Sequence, residues 1–495
     1  MTRLLLRGAE VGGELVDVRI ADGRVAELGR ALPRLDASEQ VIAARGGALL
    51  PGLTDHHLHL AAAAADLTAV VCSPSAARDA DELAAALLQA PRDDRGWIRG
   101  VRYHASVAGE LNATRLDGLR SDAPVLLRYG SGARWALNTR AATALRLADA
   151  DHPGIERGAD GRPTGRLHQA DAWLSERLGA RPLTAGAAAP GGPPLAELGR
   201  RLADHGITAV TDAEPRLDTR AVDAVARAAA CGDLPQRVRL LGAPLDVALP
   251  PDGPTAGPWR IALGDPGPHA VDDLAEEIAA AHRTGRPVAA RCTSREDLRL
   301  LFAALDRAGS TPGDRIEHAA VVPAGAVPEI RRRGLHMVAR PGLLADRGDD
   351  TGPGDTTADP TTDPTTTDQT ADPADRHRAA SLIAAGVPLG LSSDAPYGPL
   401  DPWAVMRAAM LRLTPAGEVA GRSERLTAAQ ALAGYLSPAH APGGRIGRVR
   451  AGAVADLVLL GAPAGEAIRR LDTGLVRLVL IGGRPVGGSD HRRLG

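Results

Sequence analysis

Hydrophobic and polar positions follow two textures along this chain. From residue 3 to 50 the apolar positions come in short runs, Leu4 to Leu6, Val16 to Ile20, Arg24 to Leu28 and Val41 to Ala43, separated by turn signals such as Ala21-Asp22-Gly23. The far C-terminus repeats this texture, with Ala455 to Leu460 and Val476 to Ile481 as strand-like runs and Gly482-Gly483-Arg484 as a turn. Two strand-rich ends around a helical middle predict one small composite β-sandwich domain built from residues 1–50 and 441–495.

Between the ends, apolar strand-like runs alternate with stretches of helical period. The strand candidates are Gly206 to Thr211, Arg237 to Leu241, Trp259 to Leu263, Val288 to Cys292, Arg315 to His318, His336 to Ala339 and Val387 to Ser392. Helical patterns separate most of them, as at Val271 to Arg283 and Arg295 to Ala308. Alternating β and α elements predict a parallel sheet. With one earlier strand at residues 53–59 the strands number eight, which predicts an α/β fold, a TIM (β/α)8 barrel over 51–440. Residues 60–195 read as an accessory insertion. It has helical stretches at Asp79 to Leu88 and Thr139 to Ala148, short strands at Trp97 to Gly100 and Pro124 to Leu127, a turn cluster from Gly158 to Gly165, and a Pro/Gly/Ala linker from Ala185 to Pro194. The segment Arg347 to Asp375 is almost entirely Asp, Thr, Pro and Gly, too polar to bury the surface that ordering requires. It is expected to be a disordered loop, spanning about 346–376, on the face of the barrel where active sites lie.

The densest chemistry lies at Leu50-Pro51-Gly52-Leu53-Thr54-Asp55-His56-His57-Leu58-His59. In an extended strand Asp55, His57 and His59 share one face and His56 takes the other. Two imidazoles two residues apart can bind one metal ion. The plainer alternative is a polar strand end carrying two unrelated histidines. Three further strand ends carry polar groups: Arg315-Ile316-Glu317-His318, Ser392-Ser393-Asp394-Ala395-Pro396, and Val288 to Cys292 with Arg291. In a barrel such ends converge on one mouth. His57, His59 and a carboxylate there would make a three-ligand site with an open position for water, whose pKa the metal lowers and whose proton a carboxylate takes. His318 could instead cap its strand, and Asp394 could be a turn former or helix cap.

Composition narrows the choices. The chain has 495 residues, a formal charge of −2 and no lysine, so all 58 basic residues are arginine. Absence of lysine excludes P-loop nucleotide chemistry, pyridoxal phosphate catalysis, protein kinase chemistry and a carboxylated lysine bridging two metals. Balanced charge argues against nucleic acid as a main partner. Cys72, Cys231 and Cys292 are too scattered for a metal-binding pair or a disulfide framework. No Gly-x-Ser-x-Gly elbow is present. The N-terminal apolar run is too short for a signal peptide, and no stretch approaches a membrane span. A cytoplasmic protein without membrane or nucleic-acid partners is expected, and a homo-oligomer is compatible with the sequence.

The pattern Pro51-Gly52-x-x-Asp55-x-His57-x-His59 after a hydrophobic run resembles the first barrel strand of the amidohydrolase superfamily. Gly96 to Gly100, Pro163 to Leu167, Gly206 to Val210, Arg315 to Ala319, Ser393 to Pro396 and the run from Gly447 to Leu460 resemble, in that order, blocks of its amidohydrolase-3 branch, the YtcJ-like and N-substituted formamide deformylase-like proteins. The resemblance implies a TIM barrel with a composite β domain and metal-dependent hydrolysis of a C–N bond in an amide, formamide or cyclic amide. It also shows departures. Arg291 stands where the branch has a histidine, Arg260 where it has a lysine, Gly132-Ala133 where it has Gly-His, Gln169 where it has Glu, and Arg340-Pro341-Gly342-Leu343 where it has Gln-Pro-x-His. Guanidinium is no metal ligand, so one divalent ion, zinc by ligand preference, is expected on His57, His59, Asp394 and His318, with Asp394 and His318 as the catalytic pair. Arg291, helped by Arg340, is expected either to bind an acidic group of a small-molecule substrate or to pair with a carboxylate. Trp97 and Asn138 are candidate substrate contacts, with packing and turn roles as the alternative. The competing function is a degenerate, non-catalytic member of the same fold with a binding role.

Overall fold

The computed structural model describes residues 3–67, 69–74, 76–93, 95–130, 134–168, 170, 173–174, 177–178, 195–263, 270–347, 375–414 and 417–491. Nearly all of the segment from Arg347 to Asp375 lies outside the described residues, as do Gly132, Ala133, Gln169 and the stretch from Ala185 to Pro194.

Two parallel sheets form the centre. One orders Leu53–Leu58, Ile207–Asp212, Arg237–Leu240 and Thr255–Ala256; the other orders Trp259–Ala262, Val288–Cys292, Arg315–His318, His336–Ala339 and Leu389–Leu391. Residues 255–262 serve both, pairing first with Arg239 and Leu240 and then with Val288 to Arg291. Among the described residues the ladders do not form a continuous ring, so what is seen is two arcs rather than a closed barrel. At the open side, Asp394 N donates to His57 O (3.0 Å) and His59 N to Ala395 O (2.8 Å), which ties the end of the last strand to the end of the first.

Helices pack outside these arcs. The helix Arg295–Ala308 starts because Ser294 and Asp297 form a reciprocal capping box, and its buried stripe is Leu298, Leu301, Ala304 and Leu305. These residues share one apolar cluster with Val288, Ala290 and Cys292 of the strand before it. The alternate residues of that strand, Ala289 and Arg291, therefore face the other way, into the space between the arcs.

The terminal segments form two more four-stranded sheets. One orders Arg24–Gly29, Glu14–Ala21, Leu4–Val11 and Gln40–Ala43; the other orders Arg484–Gly487, Val476–Ile481, Leu457–Leu460 and Leu49–Pro51. A single cluster, with Leu4, Leu6, Val18 and Ile20 from one and Leu457, Leu459, Leu478 and Leu480 from the other, fills the space between them. The Leu49–Pro51 strand continues through Gly52 directly into Leu53–Leu58. A Cβ at Gly52 would lie 2.0 Å from Thr208 Oγ1, so only glycine lets the chain pass there.

Residues 70–168 build a six-stranded mixed sheet, ordered Ile155–Arg157, Pro163–His168, Arg134–Leu137, Val125–Tyr129, Ile98–Tyr103 and Val70–Val71. Here the structure corrects two expectations. The stretch from Pro163 is a strand rather than the continuation of a turn. Proline opens it, where no ladder donor is needed, and Gly165 supplies a φ of +86°. The helix expected from Thr139 to Ala148 stops at Ala144 because Arg146 turns into the left-handed region, and a short 3-10 turn, Leu147–Asp149, follows.

Candidate metal centre

The Leu53–Leu58 strand carries His57 to the ends of the arcs, and His59 follows as the N-cap of the helix Leu60–Asp66. Asp394 comes from the turn after Leu389–Leu391. The ligand-capable atoms of His57, His59 and Asp394 all lie within 4.8 Å of one another. Asp394 Oδ1 is 3.6 Å from His57 Nε2 and 3.8 Å from His59 Nε2. Two ligand atoms bound tetrahedrally to one zinc ion are about 3.4 Å apart, given bond lengths near 2.1 Å. His57 Nε2 and Asp394 Oδ1 are both buried without a hydrogen-bond partner among the described residues. Buried polar atoms are rarely left so, and a shared cation would satisfy both.

The outer nitrogens explain the orientation. His57 Nδ1 lies 2.5 Å from Glu317 Oε2, and His59 Nδ1 lies 3.3 Å from Glu214 Oε1. A carboxylate on Nδ1 fixes the proton there and turns the Nε2 lone pair inward, as metal-ligating histidines require. Burial lowers the His57 pKa, against the opposing pull of Glu317, so the imidazole is neutral at neutral pH, the form that binds metal.

Charges of both signs surround this group. Arg315 Nε is 2.5 Å from Glu317 Oε1, with both side chains fully buried. Burial would raise the Glu317 pKa, but Arg315, His57 and Arg260 overcome it and hold the carboxyl at about 2. Burial likewise opposes ionisation of Asp394. Arg340, whose Nη1 is 2.6 Å from Oδ2, and the two histidines hold its pKa below the ordinary value. Asp55 is not one of the three mutually close groups. Its oxygens accept from His57 N at 3.2 Å and from Ser393 N at 3.2 and 3.3 Å, bracing the first strand against the last.

His318 and Asp394 both sit in the left-handed region, with φ of +74° and +51°. Aspartate tolerates this better than histidine, and such strain, worth roughly 1–3 kcal/mol, persists where surrounding structure enforces it. At His318 it closes the strand and sets the ring against His57, with centroids 4.7 Å apart. His318 is thus beside the three-ligand group, outside the mutually close set of ligand atoms. Burial first, then Arg340, His57, Arg291 and Arg260, push its pKa well below the ordinary value, so it is neutral.

Arg291 is paired in the ladder with Glu317, on the face that carries Glu317 to His57. Burial and the neighbouring Arg340 and Arg260 lower its pKa to about 10, still cationic at neutral pH. Trp97 and Asn138 are placed differently. Trp97 packs in the accessory core with Leu126, Trp135 and Leu137. Asn138 accepts from Val125 N and Ala141 N and donates to Arg120 O and Ala123 O, which uses the whole amide. Its packing and capping alternative is therefore the one its contacts match. The accessory sheet reaches the centre through another residue. Arg128 bonds Asp66 at 2.6 Å and lies 5.6 Å from the ring centre of Tyr397, whose ring stands edge-on to His59 at 5.4 Å.

Sequence reading passed over Glu317, Glu214, Arg128 and Tyr397. A signal existed for Glu317, since period-two alternation puts it on the face of Arg315. Nothing local could pair it with His57, 260 residues away.

No described helix is long and apolar enough to cross a membrane. Among known proteins, an N-substituted formamide deformylase from Arthrobacter pascens is 25% identical over 507 aligned residues, covering 90% of this chain and 89% of the relative. Among solved structures, an uncharacterized metal-dependent hydrolase from Pyrococcus horikoshii OT3 superposes with a TM-score of 0.67 at 18% identity, covering 93% of this chain and 97% of that one. N-isopropylammelide isopropylaminohydrolase from Burkholderia multivorans gives 0.52 at 16% identity, with 99% of each chain covered. These similarities agree on a TIM-barrel-type α/β fold. Residues 40–487 match the Amidohydro_3 model, and on that extent the chain belongs to the amidohydrolase family.

Proposed function

We propose that this protein is a metal-dependent hydrolase that cleaves a C–N bond, of an amide, formamide or cyclic amide, in a small molecule. The observation that carries the reading is the pair of buried atoms, His57 Nε2 and Asp394 Oδ1, unpartnered among the described residues and set 3.6 Å apart with His59 Nε2 beside them. We read His57, His59 and Asp394 as the ligands, with His318 next to them. A divalent ion bound there, zinc by donor type, would supply Lewis acidity to a water and to the substrate carbonyl.

The chain's own residues do the rest. Glu317 and Glu214 hold the two imidazoles in one tautomer. Asp394, kept ionised by Arg340, is the proton acceptor. His318, neutral and fixed by its strained backbone, orients the carbonyl. We also read 1–50 and 441–495 as one composite domain, on the strength of their shared apolar cluster, and the two parallel arcs as halves of an eight-stranded barrel.

The test is metal-dependent turnover. Chelated and zinc-reconstituted protein should be compared on N-formyl, N-acyl and cyclic amides by following amine release. The reading expects activity only in the reconstituted sample. A protein that takes up no zinc, manganese or iron sinks it and favours the non-catalytic alternative, toward which the Arg340–Asp394 ion pair points.

A further inference from the structure

Arginines crowd the centre, one from each of several neighbouring strands. Arg291 is paired in register with Glu317, so its side chain leaves the sheet on the face that meets His57. Ala262 pairs with Arg291, and Arg260, two residues earlier, leaves that strand on the same face. Arg315 shares the face through its ion pair with Glu317, and Arg340 reaches Asp394 from the end of the next strand. The positive charge of Arg260 acts on His57, Arg291, Glu317 and His318 together, which puts it among them.

Among the described residues, four guanidinium groups, Arg260, Arg291, Arg315 and Arg340, thus meet two carboxylates held ionised, Glu317 and Asp394, and Arg291 is itself engaged. Glu317 is engaged by Arg315 and His57, and Asp394 by Arg340. Asp297 also acts on Arg291, but its carboxylate is bonded to Thr293 and Ser294 at the head of a helix. Buried guanidinium nitrogens without a hydrogen-bond partner among the described residues occur on three of them, Nε and Nη1 of Arg260, Nε and Nη1 of Arg315 and Nε of Arg340. Arg315 is nonetheless held by His56 O and Glu317, and Arg340 by Asp394, whereas Arg260 has no hydrogen bond or ion pair among the described residues. A buried cationic donor left unpaired is costly, and a divalent ion at the histidines adds to the positive excess. Guanidinium offers a carboxylate two parallel donors.

We propose that the site selects substrates bearing a carboxylate, which Arg260 receives with Arg291 beside it, while the scissile C–N group lies toward His57, His59 and Asp394. This deepens the hydrolase reading and rests on it. It makes the substrate an acidic amide, of the N-acyl or N-formyl amino acid kind, rather than a neutral one.

Two measurements test the proposal on zinc-loaded protein. The first is calorimetric binding of benzoate against benzamide to the wild type, Arg260→Gln, Arg260→Lys and Arg291→Gln, with zinc content measured on each. We expect benzoate to bind the wild type at least tenfold more tightly than benzamide, Arg260→Gln to remove that preference at unchanged zinc content, and Arg260→Lys to restore part of it. Benzoate binding that is equal to benzamide, or undiminished in Arg260→Gln because the metal alone holds it, overturns the proposal. The second is hydrolysis of N-formyl-leucine against N-formyl-leucinamide. A higher kcat/KM for the acid, lost in Arg260→Gln, supports it; equal turnover of the two refutes it and leaves the hydrolase reading standing. Arginine-dependent benzoate binding with no hydrolysis of any amide refutes the hydrolase reading alone.

Discussion

Replacing Glu317 by glutamine probes how the centre is held together. The carboxylate is fully buried between Arg315 Nε at 2.5 Å and His57 Nδ1 at 2.5 Å. Glutamine keeps the shape and removes the charge, leaving Arg315 buried without its counter-ion. At an effective dielectric constant near 20, unit charges about 4 Å apart attract by about 4 kcal/mol. Breaking one side of a buried pair costs about 3–5 kcal/mol. Arg315 retains its bond to His56 O at 3.2 Å, which puts the expected loss at the lower end of that range. The second consequence is on the metal: without an anion on Nδ1, His57 should bind zinc roughly 10–100-fold more weakly. Urea unfolding followed by circular dichroism measures the first effect, and competition with a zinc chelator the second. Arg315→Met, Glu317→Met and the two combined form a double-mutant cycle. Removing both charges should cost much less than the sum of the single losses. If Glu317→Gln unfolds within about 1 kcal/mol of wild type, or if the single losses simply add, the account of a mutually compensated buried pair is wrong.

Three further outcomes are expected. The His57→Ala plus His59→Ala double variant should lose the bound divalent ion, about one per chain in wild type, as read by plasma emission spectrometry on desalted protein. Asn138→Ala should cost roughly 2–4 kcal/mol by removing a cap and leaving backbone groups unpaired, while KM for any amide substrate stays unchanged; a raised KM at unchanged stability would restore Asn138 as a substrate contact. Glu424 accepts from Ala379 N at 2.8 Å and Ser381 N at 3.0 Å. Burial opposes its ionisation, but these bonds and Arg378 hold its pKa below the ordinary 4.5. The stability this confers is fully present above pH 4.5 and is lost as pH falls through the lowered value. The gap between wild type and Glu424→Gln should therefore narrow on acidification, and a gap that widens would contradict it.

The sequence was most readable where burial imposes a period. The strands at 207–212, 288–292, 315–318 and 336–339 fall where apolar runs predict them, because residues packed between helices and the interior must be apolar over a strand's length. The Pro163–His168 strand was missed because its Pro and Gly read locally as a turn, and only its partner Arg134–Leu137 makes it a strand. At the site, the spacing of His57 and His59 was visible, since alternation in an extended chain turns both to one side, although the strand itself ends at Leu58 and His59 caps the next helix. The carboxylates that orient them come from residues 155 and 260 positions away, and such pairings are set by the closing of the arcs. Asn138 looked like a polar group available to substrate, yet each of its polar atoms is consumed by backbone near it in the chain.

The Leu49–Pro51 strand, which feeds straight into the strand carrying His57, takes its ladder partner from Leu457–Leu460, far along the chain. Asp394, too, lies far downstream of His59. A ribosome adding roughly 5–20 residues per second needs on the order of 20–70 s to go from His59 to Asp394. During that interval the strand carrying His57 can pair with Ile207–Asp212, but Asp394 and the Leu457–Leu460 partner of the preceding strand are still to come. Completion of the proposed three-ligand set therefore waits for residue 394, and a chain arrested before it lacks the third member.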